Sequence, residues 1–131
     1  MKKLPLLLLL ALNLPAADEW PDFKVGDIIV VENGFIALKI ENSSPYGVHL
    51  SPSTQERVFL GIAINGIKRA EYKVKAVDPT IFQGSSMIML KTNFRVGQPL
   101  RIRVEVNGGK AVPESDFANN ILEKDLRPPL E

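Results

Sequence analysis

From Phe23 onward the chain alternates apolar and polar positions with a period of two, the signature of half-buried strands and not of helices. Ile36, Leu38 and Ile40 alternate with Ala37, Lys39 and Glu41. Ala70, Tyr72, Val74 and Ala76 alternate with Glu71, Lys73 and Lys75, and Leu100, Ile102, Val104 and Val106 alternate with Arg101, Arg103 and Glu105. Each run offers one face to a core and one to water. Val58 to Ile64 is apolar on both sides, which predicts a central strand, and Asn65-Gly66 after it is a strong hairpin signal. Met87 to Leu90 is a second all-apolar run, entered through Gly84-Ser85-Ser86. Val25 to Val31 predicts the first strand. Phe23 and Val25 share one phase and Ile28 and Val30 the other, so a bulge or a change of sheet is expected at Gly26-Asp27. Ile121 to Leu126 predicts a short last strand, stopped by Arg127-Pro128-Pro129. Seven strands with turn signals between most of them, and no long amphipathic helix, predict an all-β chain: an antiparallel two-sheet sandwich of the immunoglobulin or fibronectin-III type.

The first residues follow a different pattern. Lys2 and Lys3 precede an apolar run from Leu4 to Leu14, and Pro15-Ala16-Ala17 follows. That is the layout of a secretory signal peptide, with cleavage expected after Ala16 or Ala17. The run is too short for a spanning helix of about 20 residues. No second run of that length follows, so no stable membrane insertion is expected after cleavage. The expected organisation is a leader over 1–17 and one domain over 18–131, in a secreted or periplasmic protein.

Removing the leader changes the charge. The chain has 16 basic and 15 acidic residues; Lys2 and Lys3 leave and no acid does, so 14 basic residues face 15 acidic ones. A near-neutral domain has no general pull toward nucleic acid, and none is expected as a partner. The chain also has no Cys, so an exported fold must be held by its core alone.

Candidate chemistry is sparse. There is one His and no Cys, and Ser85 and Ser86 follow Gly84 without the second glycine of a nucleophile elbow. No enzyme activity and no cofactor are expected. Glu114, Asp116, Asn107 and Asn119 could offer oxygen ligands to Ca²⁺, but the D-x-[DN]-x-[DN]-G loop is missing, so no metal site is assigned. Lys68, Arg69, Lys73 and Lys75 form a basic stretch, read as the charged protection of an edge strand, with contact to an anionic glycan or phosphate-rich wall polymer as the alternative. Asn42 to Glu56 is the longest irregular piece. Within it Ser43 to Glu56 is polar and Pro-rich, and Tyr46, His49 and Leu50 are candidate partner contacts.

One stretch carries a family resemblance. Val104 to Asn120 reads V-E-V-N-G-G-K-A-V-P-E-S-D-F-A-N-N. It resembles, without a gap, the V-x-V-x-x-x-x-x-V-x-E-S-x-x-x-N-N ending of the cell-adhesion-related domain found in bacteria (CARDB). Pro21-Asp22-Phe23 with Val25 and Ile28, Ile40-Glu41-Asn42, and Phe82-Gln83-Gly84-Ser85-Ser86 resemble weaker pieces of the same pattern. Asn107 and Phe117 stand where the family often carries acids, which weakens any cation site, and Ser43 to Glu56 looks like an insertion. The resemblance implies an extracellular immunoglobulin-like sandwich. In it Val112, Glu114, Ser115, Asp116, Asn119 and Asn120 form a structural loop motif. It also implies a non-enzymatic binding or scaffolding module for protein–protein or cell-surface contact. An unknown envelope or extracellular protein is the expected partner, and a carbohydrate- or wall-polymer-binding module, with a glycan as ligand, is the alternative.

Overall fold

The computed structural model describes residues 21–45, 51–110, 112, 114 and 118–129. Seven strands run in order: β1 (Phe23–Val30), β2 (Phe35–Asn42), β3 (Phe59–Ile64), β4 (Ile67–Lys73), β5 (Ser86–Arg95), β6 (Leu100–Val106) and β7 (Ile121–Leu126). They form a three-stranded sheet of order β1-β2-β5 and a four-stranded sheet of order β4-β3-β6-β7, with every pairing antiparallel. This is the expected all-β sandwich of fibronectin-III type, with seven strands.

The core follows from the alternation. Ile28, Ile36, Leu38, Ile40 and Ile88 come from one sheet, and Leu60, Ile62, Ile102, Val104 and Val106 from the other; all are buried. Phe23 meets Phe82 edge-on, with ring centroids 6.0 Å apart. At about 25 cal/mol per Å² of apolar surface removed from water, this layer is the main source of stability in a chain without disulfides.

The phase change in β1 is a bulge: Val25 pairs with Ile40 and Asp27 with Lys39, so Gly26 has no opposite number. The Asn65-Gly66 hairpin has both residues at positive φ, 50° and 81°, as a tight two-residue turn matched to strand twist requires. Val58 to Ile64 is interior as expected, flanked by β4 and β6.

Two strand expectations need correction. The fourth strand starts at Ile67, ends at Lys73, and gives way to a helical turn over Val74–Val77. Val74 is buried and its N–H donates to Val58 O at 3.0 Å. That bond fixes Val74 at the end of the sheet, and the chain then turns toward the other sheet. Ala76 consequently points to solvent instead of continuing the inward face. The fifth strand runs on to Arg95 and is buried on one face only. Ile88 is buried while Met87 and Met89 are exposed, because alternate side chains of β5 point to the outer face of the three-stranded sheet, away from the facing sheet.

Candidate functional site

The chemistry-bearing side chains of the motif converge where β6 ends and β7 begins. Asn107 leaves β6 in the left-handed region, φ 54°, which Asn tolerates better than most residues. Its amide nitrogen donates to Val112 O at 2.8 Å and to Glu114 Oε2 at 2.6 Å. Asn120, at the end of a short 3₁₀ turn over Ala118–Asn120, donates to Val106 O at 2.8 Å and to the same Glu114 Oε2 at 2.5 Å. Both hydrogens of each amide are therefore used. Glu114 Oε1 accepts the backbone N–H of Phe23 at 2.6 Å. One buried carboxylate thus ties the first strand, the end of the sixth and the start of the seventh.

Burial and hydrogen bonding pull Glu114 in opposite directions. Removal from water disfavours the charged form. The amides of Asn107 and Asn120 and the Phe23 N–H favour it, while nearby Asp22 disfavours it. Burial wins, and the carboxyl is pushed up to about 7.

The other motif residues are placed as follows. Val112 is fully buried in the core. Asn119 donates to Asp22 Oδ1 at 2.9 Å, at the rim of this network. The Oδ1 atoms of Asn119 and Asn120 are buried and accept no hydrogen bond from the described residues. Ser115 and Asp116 lie outside the described residues, as do the partner-contact candidates Tyr46, His49 and Leu50. The ends of the long loop belong to the framework. Ser43 N–H donates to Asp22 O, Ser44 O accepts from Ser85 N–H at 2.7 Å, and Glu56 pairs with Lys73 and Lys75. A capped helical turn occupies Pro52–Gln55, with Ser51 Oγ accepting the Thr54 N–H at 3.3 Å.

Two residues matter more here than their sequence context suggests. Asn107, a departure from the family pattern as a cation ligand, is the donor that holds Glu114 and Val112 together. Asn42 is buried; its Oδ1 accepts from Asp22 N–H at 3.0 Å and Ser44 N–H at 3.3 Å, and its amide donates to Gln83 O at 3.1 Å. An Asn closing an alternating strand was the available signal for Asn42, since the strand ends where its amide substitutes for ladder bonds.

Neither catalytic nor metal-binding geometry assembles from these groups. Ser86 Oγ lies 2.6 Å from Gln83 O and 3.2 Å from Ile81 O, so its hydroxyl serves the turn. Among the described residues no three His, Cys, Asp or Glu side chains gather as a metal cluster. Both Glu114 oxygens already face N–H donors. The basic stretch lies on and just beyond β4, an edge strand: Lys68 pairs with Glu71, and Lys73 and Lys75 with Glu56.

No family model and no curated protein matches the sequence. Solved structures do match the fold. The crystal structure of the CARDB domain of a Pyrococcus furiosus protein, in complex with di-metal ions, superposes with a TM-score of 0.55 at 17% identity. It covers 86% of this chain and 97% of that one. The solution structure of the Pyrococcus furiosus domain gives 0.52 at 17% identity, covering 86% and 99%. The metal ions belong to the Pyrococcus domain.

Proposed function

We infer that this chain is a CARDB-like domain, the fold it shares with the Pyrococcus furiosus structures. We propose that it is an exported, non-enzymatic binding or scaffolding module that contacts another protein or the cell surface. The observation that carries this reading is the likeness to a CARDB domain over 97% of that domain's length. The inward-facing motif supports it. Asn107, Glu114, Asn119 and Asn120 fasten the loop to the framework, and the sandwich becomes a rigid support for its outer loops and edges. In this reading Tyr46, His49 and Leu50 supply contact, and residues 1–17 direct export.

The loop ends at Ser43 and Ser44, the capping Ser51 and Glu56 are structural, so the test replaces only residues 45–50 with a Gly-Ser linker. The variant should keep its thermal melting and lose partners captured from an envelope extract. Recovery of the same partners by both proteins would remove the loop from the reading. Selective binding of the intact domain on a glycan array would move the assignment to the carbohydrate-binding alternative.

A further inference from the structure

A cleft of about 470 Å³ opens where the β3–β4 hairpin meets the β5–β6 connection. Its walls carry Arg69 from β4 and Arg95 from β5, the edge strands of different sheets. Asn65 and Gln98 add side-chain amides, and Ile64 and Phe94 give a half-buried apolar floor. Among the described residues, none that lines it is acidic. The larger face of the four-stranded sheet is different: there a shallow cavity of about 360 Å³ is lined by Lys68 and Arg103 together with Glu71 and Glu105, so its charge is balanced.

Both arginines stand at strand irregularities. On β4, Ala70 pairs with Ile62 and Lys68 with Ala63, leaving Arg69 as the extra residue. Lys68 and Glu71 thereby come onto one face and pair at 2.5 Å, while Arg69 turns toward the cleft. On β5, Arg95 pairs with Phe35 and Lys91 with Ala37, so the strand carries an enlarged bulge over Thr92 to Phe94. Bulges re-aim side chains, and these two aim cations at one space. Arg95 is pre-set: its Nε donates to Asn33 O at 2.9 Å, and its guanidinium sits 5.2 Å from the Phe35 ring centroid. Arg69 has no ion-pair partner among the described residues.

We propose that this cleft binds a carboxylate side chain of an acidic peptide segment, with the neighbouring apolar residue of that segment on Ile64 and Phe94. The planar guanidinium fork matches a carboxylate. A polypeptide is favoured over a glycan because the cleft lies between two edge strands, whose outer backbone groups can pair with an extended chain. The inference deepens the reading as a protein-binding module and rests on it.

The test is an NMR titration of the full protein with acetyl-Leu-Glu-Leu-amide, with acetyl-Leu-Gln-Leu-amide and trigalacturonate as further arms. The Glu peptide should shift the Nε–Hε signals of Arg69 and Arg95 and the amide of Phe94, and the Gln peptide should leave them unmoved. Arg69→Gln should weaken the Glu peptide about tenfold while the remaining spectrum is kept, as expected for loss of one charge-assisted contact. Equal response to both peptides, shifts confined to other surfaces, or binding of the galacturonate alone would overturn the proposal. Partner capture from envelope extract reads the module separately, so a silent cleft in a protein that still captures partners refutes the cleft alone.

Discussion

Glu114 and Phe23 are 91 positions apart in sequence, yet Glu114 Oε1 accepts the Phe23 backbone N–H at 2.6 Å. Through this bond the loop before the last strand closes the fold around its first strand. The carboxylate also gathers Asn107 and Asn120, so the loop motif acts as a clasp between the chain's two ends.

The two asparagines of the motif should differ when removed. Asn120→Ala deprives the buried Val106 O and Glu114 Oε2 of a donor, and a cost of about 1–3 kcal/mol is expected. Asn119→Ala loses one part-buried bond to Asp22 and should cost less. Thermal or denaturant unfolding of both variants measures the order, and an equal or inverted order would count against the clasp.

Thr92 offers a separate test on the other sheet. Its Oγ1 donates to Ile36 O at 2.7 Å and accepts from Phe94 N–H at 3.2 Å, inside the bulge that sets Arg95. Thr92→Val keeps the shape and removes the hydroxyl. It should destabilise by about 1–2 kcal/mol and broaden the Phe94 and Arg95 signals. A sharp, unshifted spectrum for these residues would show that the bulge does not need the hydroxyl.

Much of this architecture is legible from the chain alone, because a sandwich core needs only period-two alternation and turn residues. Gly26-Asp27 and Asn65-Gly66 mark a bulge and a turn through backbone constraints that act locally. The bulge at Arg69 leaves no such mark, since the residues around it alternate plausibly in either phase. Met87 and Met89 are apolar in sequence but exposed in the fold. They lie on the outer face of the three-stranded sheet, and which face of an all-apolar run turns outward is set by long-range packing. Asn107 fits a ligand and a framework donor equally well until Glu114 is brought beside it.

The Gly66 backbone gives a third prediction. At φ 81° a side chain is strained even though the space around Gly66 is open. Gly66→Ala should therefore destabilise by about 1 kcal/mol through the backbone alone. Denaturant midpoints report it, and an unchanged midpoint would mean the hairpin relaxes to another turn.

The pH dependence of stability should carry the signature of Glu114. Its carboxyl is raised from 4.5 to about 7 in the folded protein, mainly by burial. The folded state therefore binds more protons than the unfolded state between these values, and stability falls as pH rises through this window. The contribution is fully present below about 4.5 and lost above about 7. Asp27 and Asp78 act in a lower window. The Ile28 N–H, then Lys124, lowers Asp27, and hydrogen bonds from Thr80 lower Asp78, so their contributions vanish only as pH drops below 3.8. The profile should rise out of acid, peak near 4.5, decline toward 7 and then level. The measurement is made in a His49→Gln background, which removes the one histidine of the sequence. Glu114→Gln should lower stability by about 1–3 kcal/mol, because an amide cannot accept from all three N–H donors. It should also remove the decline between 4.5 and 7. Urea unfolding across this range measures both, and the slope separates titration from simple loss of packing. If the Glu114→Gln protein keeps the parent's slope, the decline belongs to another group and the buried carboxyl is not the titrating clasp.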